Sequence, residues 1–488
     1  MGDMVLLATR PGVVCHRHRL PHPPLRAVER ERARRDAEAG TGARPRHAAL
    51  VRQGAHRGRL VAGGRARGPP EQGHGVRRPP HDQRHGGVKL RRQGLRAGAV
   101  RPPLAPTPPA ANAGAVNRGA GALVPARPRG GVARLVRDVS ADAASGGTAV
   151  NLTEMAAKLI NDIVLRCSVG SRSKYSDEYL AALHAMVVQS FSLSVADLFP
   201  SSKLASMVAM APRRALANRK KMERIIEQII QERKDQMETD TGDQAAAAER
   251  KSCSLDVLLR LQKEGGGPMP ITNDVIIVLL MDMFAAGTDT SSTTLIWTMA
   301  ELIRSPRVMA KAQAEVRQAF EGKNTITEDD LAQLSYLKMV IKESLRLHCP
   351  VPLLAPRKCR ETCTIMGYDV PKGTSVFVNV WAICRDSKYW EDAEEFKPER
   401  FENNNIEYKG SNFEFLPFGS GHRICPGINL GLANMEFALA NLLYHFDWKL
   451  PNGMLHNDLD MREAPGLIAA KHTSLNVCPV THIAPSCS

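Results

Sequence analysis

At 488 residues the chain is long enough for one large domain or two to three ordinary ones, and its apolar share of 43% is that of a globular protein. The formal charge of +16 is unevenly held: residues 1–150 carry 27 Arg and one Lys against nine acidic residues, a net of +19, so the remaining 338 residues stand at −3. A basic surface spread over the whole chain is thereby excluded, and ten scattered cysteines exclude a disulfide framework and point to a reducing environment.

The first segment, residues 1–132, is rich in Arg, Gly, Pro and Ala, with no Ile, Phe, Tyr or Trp before Ile160. Such a composition buries too little apolar surface to offset its ordering entropy, so the segment is expected to be disordered in isolation. Three readings stand open: a basic arm for nucleic acid or acidic lipid, an Arg-rich transit peptide, or an out-of-frame stretch spelled by G/C-rich codons. Neither a signal-peptide core nor an anchor helix is visible there. The most apolar run in the chain, Val275 to Ala286, carries Asp282 and is too short to span a bilayer.

From Ala133 onward the sequence becomes balanced and periodic, and residues 133–488 read as one domain, mainly α with minor β. Asn151 and Thr153 open a helix over Leu152 to Val169 that stops at Gly170, and a second is expected from Asp177 to Val195. Met222, Ile225, Ile226, Ile229 and Ile230 follow the spacing of an amphipathic helix. The basic run Arg213-Arg214 and Arg219-Lys220-Lys221 beside them reads as a solvated face. Residues 237–252 read as a solvent loop, and Gly265 to Pro268 is a break. A long helix is predicted from Thr272 to Arg304, then helices at Pro306 to Phe320, Glu328 to Leu334 and Leu337 to His348. Thr364-Ile365 and Ser375 to Val378 read as strands joined by a turn at Pro371-Lys372-Gly373. An apolar helix follows over Ile428 to Tyr444, and the last 40 residues read as short strands and turns. His348 and His422 are expected at the surface or in loops. Cys359 and Cys363 lack a second Cys/His pair nearby and read as ordinary thiols.

The sharpest chemical signal is Phe418-Gly419-Ser420-Gly421-His422-Arg423-Ile424-Cys425-Pro426-Gly427. A thiolate that ligates iron needs backbone amides aimed at the sulfur, a chain able to approach a flat macrocycle, and a cation for its carboxylates. Gly421 and Gly427 remove side chains where crowding would occur, Arg423 can supply the cation, and the following helix brings its N-terminal amides to Cys425. Mid-helix, Ala286-Gly287-Thr288-Asp289-Thr290-Ser291 sets weak helix formers where a Thr hydroxyl can turn onto a carbonyl one turn back. Glu343 and Arg346, three apart, share a helical face.

Together these residues match at every fixed position the haem-loop signature Phe-x-x-Gly-x-Arg-x-Cys-x-Gly, and the chain resembles the cytochrome P-450 family. Trp381-Ala382-Ile383-Cys384-Arg385-Asp386 and Phe415-Leu416-Pro417-Phe418-Gly419 resemble the plant A-type group, the 71 clan, and the tail from Leu442 to Pro485 resembles grass members that oxidise terpenoids. The resemblance implies a P-450 fold and haem b, with Cys425 as the metal ligand and Phe418, Gly421, Arg423, Gly427 and Gly287 at the cofactor, the last leaving room for a ligand. It implies an oxygen-binding groove where Thr290 and Asp289 deliver protons, and a structural triad of Glu343, Arg346 and Arg400. It further implies electrons from NADPH through an NADPH-cytochrome reductase, and residence on the cytosolic face of the endoplasmic-reticulum membrane. A lipophilic substrate would touch Asp282 to Ala286, Val351 to Leu354 and Gly466 to Ile468. The departures lie in the first third: the anchor helix, the first sheet strands and the helix whose Trp-x-x-x-Arg meets the haem have no counterpart, the first Trp being Trp297.

The expected activity is that of a haem-thiolate monooxygenase inserting one oxygen atom from O2 into a lipophilic small molecule. The alternatives are a haem-thiolate isomerase or dehydratase, a non-functional truncated product, and a basic nucleic-acid-binding protein acting through residues 1–132. The intact Asp289-Thr290 pair argues against the isomerase, and the confinement of basic charge to the first segment argues against nucleic acid as the main partner.

Overall fold

The computed structural model describes residues 3–5, 50–52, 90–92, 129–144, 149–170, 178, 182, 211–239, 253–265, 270–323, 326–365 and 367–484. Helix α1 (Arg129–Ala144) runs across the expected domain boundary at 132/133 and buries Val132, Leu135, Val136 and Val139, a single i, i+3, i+4, i+7 stripe. Helix α2 (Leu152–Val169) starts where its sequence says it should: the Asn151 side chain accepts the Glu154 amide at 3.2 Å, satisfying one of the orphan donors of the first turn. It stops at Gly170, whose amide returns to the Arg166 carbonyl at 2.9 Å. The expected helix over 177–195 lies outside the described residues except at Glu178 and Ala182, and the expected loop 237–252 does so beyond Thr239.

Helix α3 (Ala211–Thr239) buries Met222, Ile225, Ile226, Ile229 and Ile230. Its basic run is partnered at Arg219 by Glu223 (2.6 Å) and at Lys221 by Glu178 (3.1 Å). Arg233 reaches from α3 to Asp256 on α4 (Ser254–Glu264) through two bonds of 2.7 and 2.8 Å. The central element is α5 (Asn273–Arg304), 32 residues and therefore about 48 Å long, capped by Thr272, whose hydroxyl accepts from Val275. Among the described residues it is the one helix long and apolar enough to cross a bilayer. Here it is the core helix, packed against α2, α3 and the C-terminal helices. After it come α6 (Pro306–Ala319), a 3₁₀ turn (Glu328–Gln333), α7 (Ser335–Leu347), the single turn α8 (Val380–Ile383) and α9 (Ile428–His445), which is buried from Asn434 to His445.

The β part is small. Three short strands lie in the first hundred residues, β1 (Asp3–Val5), β2 (Leu50–Arg52) and β3 (Leu90–Arg92), and β1 pairs with β2. A three-stranded antiparallel sheet places β10 (Asn476–Thr481) between β4 (Val150–Asn151) and β9 (Phe446–Lys449), with Val477 opposite Val150 and Thr481 opposite Phe446. The end of the chain is thereby tied to the start of α2. A second sheet orders β3, β5 (Arg357–Cys359) and β8 (Ser375–Val376), and β6 (Cys363–Ile365) forms a hairpin with β7 (Tyr368–Val370).

This corrects the expected strand pairing. The turn at Pro371 to Gly373 is present, with the Thr374 amide on the Pro371 carbonyl at 3.2 Å, but it links β7 to β8. Ser375 pairs with Lys358, while Ile365 pairs with Tyr368. The strand Tyr368–Val370 escaped notice because its pattern, two exposed residues then one buried, shows no alternation.

Candidate functional site

The cysteine loop is shaped by its own backbone. The Cys425 amide donates to the Phe418 carbonyl at 2.9 Å, the Gly419 amide to Leu416 at 3.0 Å and the Ile424 amide to Gly421 at 3.1 Å, so the sulfur sits at the end of a closed loop just before α9. Gly427 is the N-cap of α9, and a side chain there would begin 3.9 Å from the Cys425 sulfur. Gly421 holds a φ of +65°, in the left-handed region, inside the 3₁₀ turn Gly421–Arg423. Cys425, Arg423 and Phe418 are half-buried, and His422 is exposed as expected.

Behind the loop stands a support that begins at the triad. Glu343 and Arg346 are fully buried: the guanidinium Nε meets Glu343 Oε2 at 2.8 Å and its Nη2 meets Oε1 at 2.9 Å. Arg400 Nε reaches the same carboxylate at 2.9 Å, and the Lys397 amide donates to it at 2.9 Å. The remaining donors of Arg346 end on the carbonyls of Cys384, Ala393 and Glu395. The triad therefore pins the irregular stretch 384–400 to α7, two guanidinium groups sharing one carboxylate and ending their other donors on backbone carbonyls. From there a chain of rings leads to the loop: Arg346 lies 5.2 Å from the Trp390 ring centre, Trp390 contacts Phe415, Phe415 contacts Tyr408, and Tyr408 meets Phe418 edge-on at 5.5 Å.

On α5, Thr290 donates its hydroxyl to the Ala286 carbonyl at 2.6 Å, Thr294 to Thr290 at 2.9 Å and Thr298 to Thr294 at 2.8 Å. Side-chain bonds onto the ladder of this kind bend a helix and leave polar atoms on one stripe. Ala286 is exposed and Thr290 and Asp289 are half-buried, so the stripe opens to one side. Helix α9, which follows the cysteine loop, packs on α5 near this stripe: a side chain at Gly431, on the first turns of α9, would begin 3.6 Å from the hydroxyl of Ser291, the residue after Thr290.

A side chain at Gly287 would begin 3.2 Å from Val164 of α2, so its smallness lets two helices approach. One expectation is corrected. His348 is not at the surface: it is 7% exposed, stacks on Trp297 and meets Glu301 at 2.7 Å.

Sequence reasoning also missed Arg357. Burial, and after it the charge of Arg423, push its pKa below the ordinary arginine value, and its guanidinium lies 4.0 Å from where a side chain at Gly419 would begin, which sets Arg357 against the cysteine loop. An Arg directly after Pro356 at a strand start was the available signal. Gly410 was missed too; its φ is +71° and a side chain there would begin 2.8 Å from the Gly419 carbonyl, while Ser420 donates to the Gly410 carbonyl at 2.7 Å. Leu354 takes a φ of +51° and touches the loop at Gly419.

The family description "Cytochrome P450" matches residues 131–477. The chain belongs to the cytochrome P450 family. It is similar to ent-isokaurene C2/C3-hydroxylase from Oryza sativa subsp. japonica, 68% identical over 357 residues that make up 73% of this chain and 69% of the relative. It is 69% identical to ent-cassadiene hydroxylase from the same plant, again over 73% of this chain and 69% of the relative. Zealexin A1 synthase from Zea mays is 59% identical over 356 residues, 72% of this chain and 69% of the relative. As a P450 the chain is a monooxygenase that uses haem b, takes electrons from NADPH through a reductase and acts on a lipophilic substrate.

The residues present fit that cofactor. A half-buried thiol lies at the end of a hydrogen-bonded loop, and two cations, Arg423 within the loop and Arg357 against it at Gly419, suit the carboxylates of a porphyrin edge.

Proposed function

We propose that this P450 hydroxylates a lipophilic terpenoid, with Cys425 as the thiolate ligand of its haem. The observation that carries the reading is the hydrogen-bonded Cys425 loop that leads directly into α9, with α9 packed on α5 where Gly431 meets Ser291, the residue after Thr290. The hydroxylase names of the grass relatives support the substrate class. When bound, haem supplies the activation of O2 through which one oxygen atom reaches the substrate.

The chain's own residues divide the remaining work. Cys425 offers its sulfur from a loop whose shape is fixed by the Phe418 carbonyl, and Arg423 with Arg357 holds anionic carboxylates. The Thr290 hydroxyl, parked on the Ala286 carbonyl, and the Asp289 carboxyl hold and pass protons at the stripe. Phe418 with Gly421 and Gly427 keeps the loop flat and close, and Glu343, Arg346 and Arg400 hold its support. Asp282 to Ala286, Val351 to Leu354 and Gly466 to Ile468 form the substrate wall, mostly apolar and suited to excluding water. We assign catalysis to the domain read over residues 133–488, which helix α1 extends back to Arg129, and place the enzyme at the cytosolic face of the endoplasmic-reticulum membrane.

The test is the reduced, carbon-monoxide difference spectrum of the full chain. A strongly red-shifted Soret band that disappears in Cys425→Ala is the expected result. Bound haem with no red shift, or a shift that survives in Cys425→Ala, overturns the assignment of the ligand.

A further inference from the structure

Away from the cysteine loop, the sulfurs of Cys359 and Cys363 lie 3.7 Å apart across the turn between β5 and β6. We propose that Cys359 and Cys363 are a redox-modification site that closes to an intrachain disulfide when the chain meets a peroxide. This stands independently of the function assigned to Cys425.

The geometry separates the two thiols by role. Cys359 is 2% exposed and donates its S–H to the Glu361 carbonyl at 2.9 Å, which leaves its sulfur lone pairs toward Cys363. Cys363 is half-buried in a turn whose neighbours Glu361, Thr362 and Thr364 are exposed, so a small oxidant reaches it first. A disulfide needs sulfurs about 2.0 Å apart, so the existing gap closes by side-chain rotation and a small shift of a surface turn. Among the described residues no third Cys, His, Asp or Glu joins them as a metal-binding group.

The step balances. The Cys363 sulfur attacks one oxygen of hydrogen peroxide; an S–O bond forms, the O–O bond breaks and one water leaves, giving a sulfenic acid. The Cys359 sulfur then attacks the Cys363 sulfur; the S–S bond forms, the S–O bond breaks and a second water leaves. The two thiols lose two electrons and two protons, and the peroxide is reduced to water. Burial, followed by the neighbouring Cys359 thiol, pushes the Cys363 thiol up to about 11, so the reaction accelerates as pH rises above neutral. The staple forms at the C-terminal end of β5, two residues from Arg357.

The experiment treats the full native chain with hydrogen peroxide, alkylates the remaining thiols and maps peptides. A tryptic digest cuts after Lys358, Arg360 and Lys372, so the proposal expects peptide 359–360 joined to peptide 361–372, lighter by two hydrogens and separated by a dithiol reductant. The linkage should form severalfold faster in the native chain than in urea, and Cys359→Ser should instead leave Cys363 carrying oxygen. Two alkylatable thiols after treatment, oxygen on Cys363 without linkage in the parent chain, or equal rates in the native and urea-unfolded chains would each overturn it.

Discussion

The indole of Trp297 lies flat on the imidazole of His348, ring centres 4.0 Å apart and planes 4° from parallel. Trp297 sits on α5 and is fully buried; its Nε1 donates to the Ala469 carbonyl at 2.7 Å, while the Ala469 amide donates to Pro350 at 3.0 Å. His348 in turn bonds Glu301, one turn further along α5. One ring stack thus ties the two chain segments assigned to the substrate wall, near 350 and near 469, to the central helix. Trp297→Phe keeps most of the packing but leaves the Ala469 carbonyl unpaired, which costs roughly 1–3 kcal/mol. A lower urea midpoint with an unchanged slope is the expected result, and an unchanged midpoint would mean that the bond contributes nothing.

The triad yields a sharper contrast. Glu343→Ala strips Arg346 and Arg400 of their carboxylate while Arg346 stays fully buried, a loss of about 3–5 kcal/mol for an orphaned interior charge. Glu343→Gln keeps the shape and one acceptor, so it should fall between the parent and Glu343→Ala. Equilibrium unfolding of the three chains checks the order. Haem retention should follow the same order, because the support that the triad fixes leads through Trp390, Phe415 and Tyr408 to Phe418.

What could be read from the sequence divides by whether the cause is local. The two ends of α2 and the start of α5 were legible because Asn151 and Thr272 accept from amides, and Gly170 donates to a carbonyl, within four residues of themselves. The loop around Cys425 was legible for the same reason, its fixed residues being close in sequence. The burial of His348 was not legible, since it depends on Trp297 and Glu301, 51 and 47 positions away. The helix contact at Gly287 was not legible either, because a glycine records only that something is close; that the neighbour is Val164 on another helix is a tertiary fact. Arg357 was not legible because its meaning depends on the cysteine loop, whose Gly419 the fold brings against its guanidinium.

Thr290 carries the next prediction. Its hydroxyl has one observed partner, the Ala286 carbonyl at 2.6 Å, in the same helix, so removing it disturbs little of the packing. Thr290→Ala should therefore bind haem as the parent does, but release more peroxide per NADPH consumed, because the stripe has lost a proton-holding hydroxyl. Thr290→Ser, which keeps the hydroxyl, should recover most of the coupling. Peroxide yield and NADPH consumption measured with a reductase decide the matter, and equal coupling in all three chains would remove Thr290 from the proton path.

Acid should loosen the scaffold through carboxylates far from the loop. Burial pushes Glu399 up, but its own backbone amide together with Arg307, Tyr336 and Lys311 outweighs this and holds the carboxyl at about 2, against an ordinary 4.5. Asp330, bonded by Lys323 and Thr327, is likewise held down to about 2. A carboxyl with a depressed folded-state pKa stabilises the fold fully above its unfolded value, and that share fades as pH falls toward the folded value. Stability should accordingly decline between about pH 5 and pH 2. Glu399→Gln separates this group from the rest: the gap between parent and variant should be widest near neutral pH, narrow below about pH 4 and close near pH 2. Urea midpoints across that range measure it, and a gap that stayed constant with pH would show that Glu399 stabilises by shape alone.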